Sequence, residues 1–481
     1  MNQDKTFLGT EPIGPLLRRL AIPTVAAQIV NMLYNIVDRI YIGHMPMGGD
    51  LALTGLGVCM PVILIVSAFA ALVASGSAPR ASIAMGQGDH DKAERILGGS
   101  FTLQILLSLT LTAVLLLWGD DLLLAFGASA NTIGYASDYL GVYAFGTLFV
   151  QLTLGMNAFI TAQGFAQIGM RTVLIGAIAN ILLDPLFIFA LGMGVRGAAL
   201  ATVLSQALSC AWVLRFLTGE KTLLRLKRET LRLQPRLILP CVALGLSAFI
   251  MQASESVISV CFNTSLLKYG DDIAVGAMTI LSSVMQFAML PLQGIAQGAQ
   301  PILSFNYGAR NSARVRETFR LLLKTCLIYS VTLWAVIQLF PRLFVGLFNT
   351  AMVSYAATPL RVYCAALFLF GIQLACQMTF VSIGYAVCSI IVAVLRKFVL
   401  LIPCIYLLPH LFADQTMAVF LAEPVADAIA VTSTAILFAF QFKKAMRKLD
   451  EQGPKAPDAH PPARAPEPLR GPCFPSGSLV S

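Results

Sequence analysis

Twelve long apolar stretches, separated by short polar breaks, make up most of the chain. A transmembrane helix needs roughly 20 predominantly apolar residues, and each stretch is long enough to meet that requirement. The predicted spans cover residues 16–43, 51–77, 93–118, 133–162, 168–191, 195–217, 236–263, 273–303, 318–340, 354–382, 386–409 and 415–442. The pattern therefore predicts an all-α polytopic membrane protein with twelve transmembrane helices.

The twelve spans form two copies of one six-span unit. Pro23 in LAIPTV matches Pro240 in LILPCV, and at the same offset Asp38 matches Glu255. Farther along, GSAPRASIAMG matches GAQPILSFNYG. A repeat with an even number of spans gives both halves the same orientation in the membrane. We predict an N-terminal lobe over residues 1–217, a basic linker over 218–235, a C-terminal lobe over 236–445 and a disordered Pro-rich tail over 446–481.

Charge is scarce, and its placement predicts an orientation. The 481 residues are 57% hydrophobic and only 12% charged, whereas soluble domains carry roughly 25% charged residues. Basic residues concentrate between spans 6 and 7, between spans 8 and 9 and after span 12. By the positive-inside rule, both termini are expected in the cytoplasm. The membrane is expected to be the cell inner (cytoplasmic) membrane. The net charge of +9 is therefore explained by orientation in the membrane, without a nucleic-acid partner.

The amphipathic linker sequence LLRLKRETLRL either lies on the anionic leaflet or is a solvated connector.

A polar stripe interrupts the first span. Asn31, Asn35 and Asp38 fall at i, i+4 and i+7, so a helix places them on one face. An ionisable residue inside a membrane is costly and is by default functional. Asp38 is therefore predicted to bind a proton or a cation. The alternative is a structural acid that is neutralised by a hydrogen bond and locks neighbouring helices together.

A second intramembrane acid, Asp184, has Asn180 one helical turn before it. Pro185 follows directly and frees the carbonyl oxygen of Ile181 from its helical hydrogen bond. A carboxylate, an amide and a free carbonyl could supply oxygen ligands to Na⁺, by analogy with other hard cations. Low dielectric also favours the neutral carboxyl form, so the site could bind protons instead. A structural role is again the alternative.

Three further acids lie in or beside the spans of the second copy. Glu255 is the repeat counterpart of Asp38, and a structural acid bonded to Ser254, Ser256 or Gln252 is its alternative. Glu423 and Asp427 flank Pro424 and either belong to a site or mark an interfacial turn.

Catalytic and metal-binding signatures are missing from the sequence. The ten cysteines are scattered without Cys/His metal spacing, and no GxSxG, HExxH or Walker A motif stands in the right context. We therefore predict that the chain is not an enzyme and has no cofactor. Without a phosphate-binding loop, any pumping must draw its energy from an ion gradient.

Four segments carry a family resemblance: LAIPTVAAQIVNMLYNIVDRIYIGH, GQGDHDKAERIL, ANILLDPLFIFALGMGVRGAALATVLSQ and PLQGIAQGAQPILSFNYGA. They resemble the multidrug and toxic compound extrusion (MATE) family, and look closest to its bacterial MepA-like branch. The resemblance implies two six-helix lobes and alternating-access antiport of cationic amphipathic drugs against H⁺ or Na⁺. It also implies small-molecule organic cations as substrates, the lipid bilayer as the surroundings and a monomeric transporter.

The resemblance also assigns residues. It implies that Asp38, Asn180, Asp184 and Thr202 form the cation-coupling site, which would hold Na⁺ if the coupling ion is Na⁺. Asn157 matches a polar position beside that site. Residues 360–384 lack the acid that some members carry, and Leu400 and Cys404 replace Asn180 and Asp184 in the second copy. Coupling is therefore expected in the N-terminal lobe. The remaining substrate or coupling candidates are Asn31, Asn35, Asn157, Gln163, Glu255, Gln293 and Gln377.

Two other functions fit the sequence less well. A flippase for lipid-linked oligosaccharides or peptidoglycan precursors, from the same superfamily, would need a cationic cavity, and the intramembrane charges are mostly acidic. An uncoupled membrane receptor or scaffold is the other alternative.

Overall fold

A computed structural model describes residues 7–45, 49–348 and 352–453. After a short helix, Phe7–Thr10, the first lobe contains α1 (Ile13–Gly43), α2 (Gly49–Gly86), α3 (His90–Ala125), α4 (Ile133–Ala162), α5 (Ala166–Pro185) and α6 (Gly194–Thr218). α5 continues as a π-helical turn, Leu186–Ala190. We call residues 13–218 the N-lobe.

The second lobe repeats this order. It contains α7 (Pro235–Tyr269), α8 (Asp272–Gly308) and α9 (Ser312–Leu339), and then a short helix, Pro341–Phe348. α10 consists of Val353–Tyr363 and Phe370–Ser382, joined through a 3₁₀ turn, Leu367–Leu369. α11 consists of Ala386–Val394, a π-helical stretch Leu395–Leu401, Ile402–Leu407 and a 3₁₀ turn Leu408–His410, and α12 is Gln415–Gln452. We call residues 235–452 the C-lobe.

The predicted span count agrees with the helices observed. In the described part of the chain, eleven helices are long and apolar enough to cross a membrane, and the count reaches twelve when the two pieces of α10, bent by 42°, are taken as one span. The fold is therefore the predicted two six-helix lobes. A π-helical segment occurs in the fifth span of each lobe, at Leu186–Ala190 and Leu395–Leu401. Such segments widen a helix and are frequent at functional sites.

The last helix is longer than the sequence indicated. We expected a disordered tail from residue 446, but α12 runs to Gln452. Asp450 accepts hydrogen bonds from Ser312 Oγ and, at 2.5 Å, from Arg316 Nη2, and these bonds hold the end of α12 against the start of α9. The Pro-rich remainder, residues 454–481, lies outside the described residues, so that part of the prediction stays a prediction.

The linker is bound to the N-lobe along most of its length. Gln163 Oε1 accepts hydrogen bonds from Thr222 Oγ1, Leu223 N and Leu224 N, each at 2.8 Å. Farther along the linker, Lys227 Nζ lies 2.6 Å from Glu94 Oε2, and Thr102 Oγ1 donates to Leu231 O at 2.6 Å. Within the linker, the structure assigns a helix only to the 3₁₀ turn Arg228–Leu231. It is therefore held on the N-lobe and is not a free connector, and its placement on the anionic leaflet stays a prediction.

The two lobes approach each other closely near the linker, on what we call the linker side. A Cβ added to Gly76 of α2 would lie 1.8 Å from Cys241 O of α7, and one added to Gly245 would lie 1.7 Å from Leu72 O. α1 and α8 meet in the same way, since Thr24 Oγ1 donates to Gly294 O at 2.6 Å. Only glycine permits such backbone contact. We call this contact surface the interlobe seam.

A larger side chain at Gly245 is expected to open the seam. Because a valine there would collide with the backbone at Leu72, the Gly245→Val variant should expose the buried thiol of Cys241 (0% exposed). Overpacking typically costs about 1–3 kcal/mol, so alkylation of Cys241, followed by peptide mass spectrometry, should accelerate by about tenfold. The control is Gly134→Val, where an added Cβ has no neighbour within 4 Å. Equal protection of Cys241 in both variants would contradict the expectation.

Candidate functional site

Two acids from different helices meet inside the N-lobe. Asp38 of α1 and Asp184 in the last turn of α5 are 8% and 0% exposed. Their carboxyl groups face each other within hydrogen-bonding reach. In the described part of the chain, no lysine or arginine forms an ion pair with either acid. Two buried carboxyl groups within hydrogen-bonding reach cannot both carry a free negative charge. Either one of them holds a proton or a cation lies between them.

Asn180 and Thr202 complete the group of four that the resemblance implied. Asn180 Nδ2 donates to Asp184 Oδ1 at 3.3 Å and lies 3.5 Å from Thr202 Oγ1 of α6. Asn180 and Asp184 are neighbours because they stand four residues apart on one helix. The structure therefore brings Asp38, Asn180, Asp184 and Thr202 together, and we call them the acid cluster.

Three oxygens of the acid cluster lack a hydrogen-bond partner among the described residues. They are Asp38 Oδ1, Asn180 Oδ1 and Asp184 Oδ2, and all three are buried. Buried polar atoms are normally satisfied, and an unsatisfied one costs about 1–3 kcal/mol. A proton on a carboxyl group or a hard cation such as Na⁺, which prefers oxygen ligands, would satisfy them. No group of three or more His, Cys, Asp or Glu side chains that could hold a metal ion occurs within the described ranges.

Tyrosines that sequence reasoning missed surround the acid cluster. The Tyr139 hydroxyl lies in hydrogen-bond contact with Thr202, and the Tyr139 ring stacks on Tyr143 with centroids 6.2 Å apart. Tyr34 precedes Asp38 by one helical turn, and its electrostatic interaction with Asp38 places it near the carboxyl group. Their signal in the sequence was weak: an i, i+4 tyrosine pair on α4 and a tyrosine one turn before a buried acid.

The helix that carries Asp184 changes geometry directly after it. Pro185 cannot donate to Ile181 O, and the chain continues as the π-helical turn Leu186–Ala190. The predicted backbone irregularity beside the acid is therefore present. It takes the form of a wider turn at the end of α5.

Asn31 and Asn35, the other polar residues of the α1 stripe, form no hydrogen bond with the acid cluster in the described structure. Asn31 is exposed, and Asn35 Nδ2 donates to Asn31 O at 2.6 Å. Among the C-lobe candidates, Gln293 is exposed on α8 and Gln377 is half-buried on α10. Their proposed part in substrate binding stays a prediction.

Two predicted candidates have other positions and contacts. Asn157 Nδ2 donates to Gly169 O at 3.3 Å, and Gly169 precedes Asp184 by fifteen residues on α5, about 22 Å along the helix axis. Asn157 therefore does not lie beside the acid cluster. Gln163, 0% exposed, uses its carbonyl oxygen to bind the linker, and its part in substrate binding or coupling stays a prediction. The resemblance gave Asn157 a place beside the site, but a polar residue in a span can lie at any depth.

The C-lobe places bases where the N-lobe has none. Lys397 Nζ of the π-helical stretch in α11 lies 2.7 Å from Glu255 Oε1 of α7. The Lys397 side chain is 4% exposed, whereas that of Glu255 is 54% exposed. Glu255 is therefore bonded to a lysine and not to Ser254, Ser256 or Gln252, the partners considered from the sequence.

Arg396 forms ion pairs with both acids of α12. Its Nε donates to Asp427 Oδ1 at 2.7 Å, and its Nη2 lies 3.4 Å from Glu423 Oε1. The guanidinium also lies 4.8 Å from the ring centre of Phe370. Glu423 and Asp427 are 5% and 2% exposed, so they do not mark an interfacial turn. The sequence signal that was missed is Lys397, which stands next to Arg396 inside an otherwise apolar span.

Comparisons with known proteins agree with this fold. The MatE family model matches residues 23–186 and 247–407. Multidrug export protein MepA of Staphylococcus haemolyticus (strain JCSC1435) is 24% identical over 415 residues, which cover 86% of this chain and 91% of that protein. Multidrug export protein MepA of Staphylococcus aureus (strain NCTC 8325 / PS 47) is 24% identical over 408 residues, which cover 84% and 89%.

Solved structures with the same fold include a crystal structure described as MATE in the bent conformation, with a TM-score of 0.88 and 22% identity, covering 94% of this chain and 100% of that one. Another, described as the outward-facing conformation of a multidrug resistance MATE family transporter of the MOP superfamily, has a TM-score of 0.86 and 22% identity and covers 92% and 99%. From the extent of the family match and the shared two-lobe fold, we conclude that this chain belongs to the MATE family of membrane transporters.

Proposed function

We propose that the chain is a secondary active multidrug efflux transporter that exports cationic amphipathic compounds by antiport with H⁺ or Na⁺. One observation carries the proposal: Asp38 and Asp184 face each other in the N-lobe with three unsatisfied oxygens around them, and neither forms an ion pair in the described structure. An acidic site of this kind attracts either a small cation or an organic cation. Binding of one lowers the affinity for the other.

The exchange follows from that competition. A proton or Na⁺ at the acid cluster removes its negative charge, weakens the attraction for an organic cation and so favours release of the substrate. An ion that binds one conformation more tightly than the other shifts the equilibrium between them. The C-lobe acids contribute less to coupling because each of them already forms an ion pair with Arg396 or Lys397. Ion coupling is therefore assigned to the N-lobe.

Alternating access would occur between the lobes. The close approaches at the interlobe seam lie on the linker side, which carries the basic connectors and which we assign to the cytoplasm. A contact surface at one end of the lobes supports an outward-open state. We place the transporter in a bacterial cell membrane, as a monomer with both termini cytoplasmic. The MepA relatives are multidrug export proteins by name, which supports the export of drugs.

Exchange in proteoliposomes tests this function. The full chain is reconstituted, and a proton gradient or a Na⁺ gradient is imposed separately across the vesicle membrane. Addition of a fluorescent lipophilic cation should dissipate the gradient of the coupling ion and drive uptake of the dye, whereas protein-free vesicles should do neither. No exchange under either gradient, together with gradient-independent translocation of a fluorescent lipid diphosphate, would instead favour a flippase.

A flippase receives little support from the charges of the membrane interior. Such a protein needs free positive charge for phosphate groups deep between the lobes, but the buried bases of the C-lobe, Arg396 and Lys397, are both paired with acids. A receptor or scaffold would not need an acid cluster with unsatisfied oxygens.

A further inference from the structure

A cavity lies at the linker-side end of the interlobe seam. Its volume is about 310 Å³. Arg80 near the end of α2 and Lys92 at the start of α3 line it from the N-lobe, and Arg236 at the start of α7 and Tyr307 at the end of α8 line it from the C-lobe. The cavity is therefore built from both lobes and is separate from the acid cluster.

Its lining carries three cationic side chains and no acidic one. Among the described residues, none of Arg80, Lys92 and Arg236 belongs to an ion pair. Nε of Arg80 is buried and has no hydrogen-bond partner there. The neighbouring acid Asp89 accepts from Lys92 N as the cap of α3, and it forms no ion pair with any of the three cations. Three unpaired cations around one cavity repel each other, and a buried donor without a partner is costly. An anion would remove both penalties.

We propose that this cavity binds a phosphate-bearing anion. Arginine donates in a planar fork that matches phosphate oxygens, and two arginines and a lysine face the same space. Basic pockets between transmembrane helices commonly bind the phosphate of lipid headgroups. The volume accommodates a phosphate group with a small organic substituent. The same chemistry also admits a free phosphate, so the two sources are separated by experiment.

Occupation of the cavity favours the conformation described here. One phosphate would reduce the repulsion between Arg80 and Lys92 of the N-lobe and Arg236 of the C-lobe, and these groups face one cavity only while the seam is closed. At this end of the seam, a Cβ added to Gly86 would lie 2.0 Å from Phe305 O, so backbone contact between the lobes forms the surroundings of the site. A ligand that binds only the closed seam shifts the equilibrium towards it. The anion would therefore regulate the transport cycle, whatever the exported substrate is.

Lipid titration of the full chain tests the proposal. The protein is placed in phosphatidylcholine nanodiscs and titrated with phosphatidylglycerol or, separately, with inorganic phosphate, and bound ligand is counted by native mass spectrometry. Removal of one charge-assisted hydrogen bond costs about 1.5–3 kcal/mol, so Arg80→Gln and Arg236→Gln should each lower the apparent affinity by at least about tenfold. Arg232→Gln removes the same charge from an exposed linker position and should leave the affinity unchanged.

Each outcome bears on the site. Loss of binding in Arg80→Gln and Arg236→Gln, with retention in Arg232→Gln, supports the proposal. Binding of phosphatidylglycerol alone identifies a lipid headgroup, and equal competition by inorganic phosphate identifies a free anion. Equal affinity in all three variants overturns the proposal, as does a wild-type chain that binds neither probe. Because Arg236 lies at the start of a helix on an exposed position, its variant is expected to fold even if Arg80→Gln does not. Alkylation of Cys241 gives a second readout, since the bound anion should slow it.

Discussion

Asp184→Asn should abolish ion-coupled exchange while the protein remains folded. Asparagine keeps the shape of the side chain and can still bond Asn180, but it removes the negative charge that a proton or Na⁺ must neutralise. Coupling free energies between sites are typically about 1–3 kcal/mol, so the coupled rate should fall by up to about 100-fold. Asp38→Asn should have the same effect, because the two carboxyl groups act as one site.

The measurement is substrate-driven dissipation of a proton or Na⁺ gradient in proteoliposomes. A matched control is Asp121→Asn, which makes the same change at an exposed position of α3 and should exchange at the wild-type rate. Undiminished exchange by both Asp38→Asn and Asp184→Asn would exclude the acid cluster as the coupling site. If only the Glu255→Gln variant lost exchange, coupling would lie in the C-lobe, contrary to our assignment.

Arg396→Met is expected to destabilise the C-lobe strongly. The Arg396 side chain is 7% exposed and contacts the carboxylates of Asp427 and Glu423, which are 3% and 6% exposed. Methionine fills much of the same volume but leaves two acids buried without a counter-charge. Removing one partner of a buried ion pair typically costs about 3–5 kcal/mol. The free energy of unfolding, measured by denaturant titration in detergent, should fall by that amount.

Two further variants distinguish this charge effect from a packing effect. A triple variant that adds Asp427→Asn and Glu423→Gln to Arg396→Met removes the two unpaired buried carboxylates. It should recover part of the lost free energy of unfolding. Arg447→Met breaks an exposed pair with Glu451 on the same helix α12 and should leave stability unchanged, because solvent screens exposed pairs. Wild-type stability in the single Arg396→Met variant would show that the pair is not needed for folding.

The sequence was sufficient for the architecture because each span is a local signal. Apolar runs of sufficient length, interrupted by glycine, proline and charge, determine where helices start and stop, and residues such as Asn180 and Asp184 are neighbours through helix geometry alone. The exit of α5 into a wider turn also followed from one residue, Pro185. These features need no knowledge of how helices pack together.

Contacts between helices far apart in the chain could not be predicted from the sequence. Lys397 and Glu255 are 142 residues apart, and no periodicity within either span indicates that they face each other. The contact between Asp38 and Asp184 was expected only through the family resemblance. Gln163 was named as a substrate or coupling candidate because it is polar within an apolar region, and its bonds to the linker could not be predicted. The depth and direction of a side chain depend on tertiary packing, which one sequence does not display.

The anchored linker limits how the lobes can move. Because hydrogen bonds and an ion pair attach residues 222–231 to the N-lobe, only Arg232, Leu233 and Gln234 remain as a free tether before α7 begins at Pro235. A fully extended chain spans at most about 3.6 Å per residue, so Leu231 and Pro235 can never be more than about 14 Å apart. The lobes therefore cannot slide apart as separate bodies at this point. The change between conformations must therefore be a rotation of one lobe relative to the other about residues 232–234. The displacement of an atom grows with its distance from these residues.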